Sequence, residues 1–293
     1  MSVNHRRLIT FAGNTIAIER SDPRPAAIVD FLYRHIPGDS NIPPHTTYRI
    51  IPGDQPEKMV LYRGDTLIYE GDSEATLAEL LLGDSCRRLA EKSQNGLLFH
   101  AAGLAWQGKG LFLPGGIGAG KSTLAAWLTM EGLDYLTDEL VSVPHGADIM
   151  KTFTRPLNVK KTSRAALQHR FDFERHAGHI SSTFHADLIP PMLLKPTNTL
   201  SEPPLSLIIF PRYLPGSNFV LRTLSGAQAG SALMQCLVNA RNLPDYGFSE
   251  IVRLAQTTLA CQMSYSDLDQ IGGKIEELLQ SSPGDLRHRR PDP

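Results

Sequence analysis

Apolar and polar residues alternate in ITFAGNTIAIE (9–19), TTYRIIPG (46–53) and KMVLYRGDTLIYEGD (58–72), with Gly, Pro or Asp at the bends. A period of two predicts strands joined by tight turns. One helical stretch, PAAIVDFLYRHI, interrupts them, so residues 1–72 read as a small strand-rich N-terminal region. SEATLAELLLGDSCRRLAEKSQNG (73–96) opens on a Ser cap, carries apolar residues at helical spacing and ends on Asn-Gly, predicting a helix that links this region to a main domain over 73–280.

The main domain begins with two apolar runs, LLFHAAGLAW and KGLFLPG, joined by the turn QGKG, as in a β-hairpin. The second run leads into GGIGAG, then into the helical pattern KSTLAAWLTMEG and the strand pattern DYLTDELVSV. The order strand, glycine loop, helix, strand predicts an α/β fold. Residues 144–204 are rich in His, Lys, Arg and Pro with weak periodicity and read as long surface segments. LSLIIFPRY (205–213) predicts a buried strand; GAQAGSALMQCLVNA (226–240) and GFSEIVRLAQTTLACQMS (247–264) predict helices, and SDLDQIGGKIEELLQS closes the fold. The last residues, 281–293, read as a disordered tail.

Composition narrows the function. A formal charge of −1 over 293 residues offers no general attraction to nucleic acid or to an acidic membrane, so any affinity for polyanions is local. No window approaches the roughly 18 uninterrupted apolar residues of a membrane span, and no signal peptide is read. Cys86, Cys236 and Cys261 are scattered and odd in number, which fits a reducing cytoplasm rather than a disulfide framework or zinc site.

The strongest chemical signal is Gly115, Gly116, Ile117, Gly118, Ala119, Gly120, Lys121, Ser122 and Thr123, which contain G-x-x-x-x-G-K-[ST]. Bare glycine backbone lets successive N–H groups converge on a phosphate, Lys121 reaches the terminal phosphates, Ser122 offers a hydroxyl to Mg²⁺, and the helix N-terminus faces the same point. ATP and Mg²⁺ are therefore the expected ligands. Asp138 and Glu139 end an apolar stretch and can emerge beside the loop to hold metal and accept a proton. On an ideal strand they point to opposite faces, so both serve only where the strand ends or bulges. His100 is either a satisfied strand residue or a catalytic one. Arg155 and Arg212 each sit beside a proline at a segment end, and either can supply positive charge to a transferring phosphoryl group. The histidines at 169, 176, 179 and 185 lack a tight ligand pattern and read as a pH-sensitive surface.

Over residues 97–143 the chain resembles the HPr serine kinase family: a histidine heads the hairpin, the glycine loop and lysine–serine pair follow, and GLDYLTDE fills the place of a segment ending in two carboxylates. RPLNVKK, IIFPRY and MSYSDLD carry a weaker echo. The closest likeness is to the shorter HPr kinase-related proteins of bacteria, some of which phosphorylate a precursor peptide. The resemblance implies a P-loop core like that of phosphoenolpyruvate carboxykinase, Asp138 as base for the acceptor hydroxyl, Glu139 and Ser122 on the metal side, and catalytic parts for Lys121, His100 and Arg212. Glu139 replaces a usual second Asp, Thr123 replaces a usual Glu, and NARNLP (239–244) is the nearest match to a later glycine-arginine-asparagine segment. The first two departures imply a different metal geometry, and the lack of a true glycine-arginine-asparagine segment points away from HPr and toward a serine on a peptide or another small protein as acceptor, in a cytoplasmic kinase, with a homo-oligomer open. The alternatives are a small-molecule kinase and a non-catalytic, regulatory ATP-binding module.

Overall fold

The computed structural model describes residues 5–20 and 23–280. Among them three sheets form. β1 (His5–Phe11), β2 (Asn14–Arg20), β3 (Thr46–Pro52), β4 (Met59–Arg63) and β5 (Thr66–Gly71) lie side by side in chain order. β2 and β3 are parallel, with α1 (Pro23–Tyr33) as the crossover; the other neighbours are antiparallel. The apolar alternation of the sequence therefore builds the strands it predicts.

α2 (Glu74–Glu91) is capped by Ser73, whose side chain accepts the Thr76 N–H. Its buried stripe of Leu77, Leu81, Leu82, Cys86 and Leu89 packs into the core of the N-terminal sheet. The expected boundary at 72/73 thus falls just before a helix whose apolar side belongs to the N-terminal layer. Leu98, Leu140 and Phe153 of the following region enter the same core.

The larger sheet contains β6 (Leu97–Trp106), β7 (Lys109–Pro114), β8 (Asp134–Thr137), β9 (Leu140–Val143), β10 (Lys151–Thr152), β14 (Leu205–Tyr213), β15 (Val220–Thr223) and β16 (Leu259–Tyr265). The order runs β10-β9-β6-β7-β14-β16-β15, with β8 paired to β6 beside β9. β6 and β7 form the expected hairpin. Gln107 and Gly108 turn it with φ of 48° and 77°, the positive pair of a turn that matches strand twist. β7, β14 and β16 are parallel to one another, so their C-terminal ends reach one edge.

Helices cover both faces. α3 (Lys121–Met130) packs Leu124, Ala125 and Leu128 with Leu111, Leu113, Leu207 and Ile209. On the other face α6 (Gly226–Cys236) and α7 (Phe248–Thr257) pack Leu233, Ile251 and Leu254 with Phe99, Phe112 and Ile208. α8 (Lys274–Gln280) buries Ile275 and Leu279 in the α3 core. The protein is an α/β fold with helices on both faces of a mixed sheet.

Two expectations change. The segment 144–204 contains a three-stranded sheet of β11 (Leu157–Lys160), β13 (Ala186–Ile189) and β12 (Ser181–Ser182), with short helices α4 (Arg164–Leu167) and α5 (Pro191–Leu194). Leu157, Val159, Leu167, Phe171 and Ile189 bury against α3, a few apolar anchors spaced too irregularly to show as a period. The helix expected over 247–264 stops at Thr257, and Leu259–Tyr265 becomes β16, between β14 and β15 in the sheet. Cys261, Met263 and Tyr265 turn into the α3 core while Gln262 and Ser264 between them are less buried, a period of two that follows the helical run of α7 without a Gly or Pro to mark the break. The tail expected over 281–293 lies outside the described residues.

Phe153, from the segment after β10, anchors in the N-terminal core, fully buried and edge-on to Phe11 at 5.5 Å and to Tyr33 at 6.2 Å. Phe153→Ala is expected to lower stability by about 3–5 kcal/mol, read as a shift in denaturant midpoint.

Candidate functional site

Strand register brings the site together. Across the hairpin Ala101 pairs with Pro114, and the Ala101 N–H also reaches the Glu139 carbonyl at 3.1 Å. Glu139 therefore lies level with the last residue of β7, directly below the glycine loop. β8 and β9 both pair with β6 and meet at Asp138–Glu139, where neither residue belongs to a strand. The strand breaks at the acid pair, so the two carboxylates escape strict alternation and both face one cleft. That cleft has a volume of 1280 Å³.

The loop is shaped by left-handed glycines. Gly118 has φ of 86° and Gly120, which starts α3, has φ of 92°. A Cβ on Gly120 would stand 2.5 Å from the Tyr265 hydroxyl. No side chain caps α3, so its first N–H groups open onto the cleft. The Lys121 ammonium folds back on the carbonyls of Gly115 (2.7 Å) and Gly116 (3.0 Å), placing its charge inside the loop. Burial pushes its pKa down, opposed by Glu139. Ile117, Gly118, Gly120, Lys121, Ser122 and Thr123 line the cleft. Gly115, Gly116 and Ala119 form the back of the loop, where the Ala119 N–H reaches the Gly116 carbonyl at 3.3 Å.

Below the loop stands a buried ionic cluster. Arg155, 5% exposed, contacts an Asp138 oxygen at 2.9 Å and donates to Glu139 at 2.8 Å through the same terminal nitrogen. Burial opposes its charge, but the two carboxylates outweigh that and raise its pKa. Asp138, with a fully buried side chain, also accepts the Tyr135 hydroxyl at 2.9 Å and the Asn158 N–H at 3.1 Å. Glu139 is 32% exposed and is the acid an incoming molecule can reach. The His100 Nε2 lies 3.9 Å from Glu139. Burial first, and Lys121 second, lower the His100 pKa against the pull of Glu139 and Asp138, which favours the neutral ring.

Of the expected residues, His100, Lys121, Ser122, Asp138 and Glu139 therefore meet in one place. Arg212 does not join them. It is exposed on β14 and alternates with Tyr213: Leu207 and Ile209 share the α3 face with Tyr213, whereas Ile208 and Phe210 share the other face with Arg212. Tyr213, not Arg212, lines the cleft. The cation beside the acids is Arg155, the other arginine next to a proline. His169 also lines the cleft, while His176 stacks on Phe171 at 5.1 Å. Asn158, Lys160, Trp127, Tyr265 and Asp267 also line the wall; Asn158 and Lys160 come from RPLNVKK and Tyr265 and Asp267 from MSYSDLD, where the resemblance is weaker and gives no residue a part.

The residues present fit Mg²⁺. Among the described residues no group of three His, Cys, Asp or Glu side chains forms a metal cluster. The Ser122 hydroxyl on the cleft wall leaves a hard cation to complete its shell with phosphate oxygens and water, the usual habit of Mg²⁺. Among the described residues no helix is long and apolar enough to cross a membrane.

No family model matches the chain, and no curated protein matches it. Among solved structures it is similar to the HPr(Ser) kinase/phosphatase from Coxiella burnetii, at 15% identity and a TM-score of 0.30, covering 65% of this chain and 97% of that one. At that distance the residues of this chain carry the functional reading.

Gly120→Ala should cost about 1–3 kcal/mol of stability, because both the positive φ and the Tyr265 contact oppose a methyl group. Adding Tyr265→Phe should recover only the contact part, as measured by denaturation. His100 adds a pH dependence. Its folded pKa lies below the ordinary 6.5, so the stability it contributes is full above pH 6.5 and is lost as pH falls through the depressed value. His100→Gln should flatten the acid-side slope of the denaturation midpoint below pH 6.5.

Proposed function

We propose that this protein is a kinase that transfers the γ-phosphoryl group of ATP·Mg²⁺ to a serine-type hydroxyl on a peptide or small protein. The observation that carries this reading is the acid pair, with Arg155 between its members, standing level with the end of the strand that delivers the glycine loop. A phosphate cradle alone is compatible with many reactions. A carboxylate open to the cleft beside it adds a proton acceptor for a hydroxyl nucleophile.

The loop N–H groups and Lys121 hold the phosphate tail and balance the charge that spreads over the transferring group. Ser122 and the phosphate oxygens would hold Mg²⁺, which supplies further neutralisation of that charge. Glu139 accepts the proton of the acceptor hydroxyl as its oxygen bonds to the γ-phosphorus and the bond to the β-phosphate oxygen breaks, releasing ADP. Neutral His100 beside Glu139 helps orient that carboxylate. Asp138 holds Arg155 and is itself held by Tyr135 and Asn158. Exposure favours Glu139 as the base, the part that family resemblance implies for Asp138, because Asp138 cannot touch an acceptor from its buried position.

Lys121→Ala should weaken ATP binding and abolish transfer. Glu139→Gln should keep ATP binding within a few-fold and lower turnover by about 10²–10⁴, the range of general-base catalysis. Asp138→Asn should chiefly destabilise the fold, by about 3–5 kcal/mol, because it leaves Arg155 buried with one partner fewer. Labelled ATP with a serine-containing peptide panel reads the transfer, and denaturation reads the stability. Full turnover in Glu139→Gln, or a stable but inactive Asp138→Asn, would return the base to Asp138.

A further inference from the structure

The two flanks of the glycine loop differ in chemistry, and the difference gives the cleft a direction. On the β6 side stand Glu139, His100 and Arg155. On the β14 side stand Tyr213 and Tyr265, the last residues of two strands parallel to β7. Ile208 pairs with Phe112, so β14 continues five residues past that level, whereas β7 ends at Pro114. Both tyrosines therefore rise past the strand end to the height of the loop itself. A triphosphate with its terminal phosphorus at the acids has its other end pointing toward this pair.

Tyr213 is 48% exposed, whereas Tyr265 beneath it is 2% exposed, with ring centroids 5.9 Å apart at 60°. The platform is fixed in place. The Leu214 N–H donates to the Tyr265 carbonyl at 2.8 Å, and the Ser266 hydroxyl donates to the Ser217 carbonyl at 2.7 Å, so the two strand-end loops are tied to each other. The Tyr265 hydroxyl abuts Gly120, which ties the platform to the loop. Next along the wall, Asp267 caps the following turn, accepting the Asp269 N–H at 3.0 Å. A carboxylate has about four acceptor sites, so capping leaves others for a hydroxyl donor.

We infer that the nucleoside half of the phosphoryl donor lies across the ends of β14 and β16, with its base stacked on Tyr213 and a ribose hydroxyl donating to Asp267. The donor is thus a ribonucleoside triphosphate and not a bare polyphosphate. An exposed aromatic ring held rigidly beside a phosphate cradle supplies the base with stacking area at little cost in ordering. This inference rests on the phosphate-loop reading above and adds the direction of the ligand and the residues at its far end.

Calorimetric titration of the intact protein with Mg²⁺ and ATP, 2′,3′-dideoxy-ATP or inorganic tripolyphosphate tests it. Tyr213→Ala should weaken ATP by about tenfold or more and leave tripolyphosphate unchanged, while Tyr213→Phe should bind ATP nearly as the native protein does. Should Tyr213→Ala not fold, Tyr213→Leu carries the same comparison. The native protein should prefer ATP to the dideoxy compound, and Asp267→Ser, which keeps a capping hydroxyl, should erase that preference. Unchanged ATP affinity without the Tyr213 ring, or an equal loss of ATP and tripolyphosphate, overturns the base assignment. No preference for ribose in the native protein overturns the part given to Asp267. If the native protein binds neither ATP nor tripolyphosphate, or Lys121→Ala binds both undiminished, the phosphate-loop reading itself fails and this inference goes with it.

Discussion

One guanidinium must sit between two carboxylates in a space almost closed to water, and much of the site follows from that requirement. Arg155 is buried on all sides, so it stays there only because Asp138 and Glu139 offset the loss of hydration. Asp138 in turn is satisfied by Tyr135 and Asn158, which belong to β8 and β11. The cluster therefore stitches the central sheet to the small three-stranded sheet and fixes the height of Glu139 beneath the loop. A charge placed so deeply is an expensive way to hold a fold together. It makes sense where a chemical task needs a carboxylate and a cation side by side.

The N-terminal layer has a physical part in this arrangement even though it lends no side chain to the cleft wall. Leu140 and Phe153, which lie in the chain between the acid pair and Arg155, are buried in the core that the N-terminal sheet shares with α1 and α2. The Thr137 hydroxyl bonds the Phe153 carbonyl at 2.7 Å, and the Phe153 N–H bonds the Leu140 carbonyl at 3.0 Å. The segment carrying Arg155 is thus pinned from behind, and water is kept from the back of the ionic cluster. Dry, fixed dipoles act more strongly on a transferring charge than solvated ones.

The loop itself combines softness and constraint. Its glycines allow backbone angles that other residues resist, while Tyr265 fills the space beside Gly120 and sets how far the loop can relax. Lys121 rests on the loop carbonyls, which phosphate oxygens would replace in the proposed kinase. Both flanks are built on strand ends, so cradle, acids and aromatic platform share one rigid frame.

The sequence by itself determined what depends on near neighbours: the N-terminal strands from their alternation, the β6–β7 hairpin from its turn, and the glycine loop of G-x-x-x-x-G-K-S leading into a helix. It also supplied the acid pair and the condition that both acids could serve only if the strand broke there. Only the tertiary structure decided which arginine meets those acids. Arg155 and Arg212 look alike in the chain, each beside a proline, and strand parity together with the return of residues 153–158 separates them. Burial likewise decided that Glu139 rather than Asp138 is the acid exposed to the cleft, and pairing with β14 and β15 put Leu259–Tyr265 into the sheet as a strand directly after a helix. These outcomes depend on which distant segments come to lie against one another, and a side chain's exposure is a property of those neighbours rather than of its place in the chain.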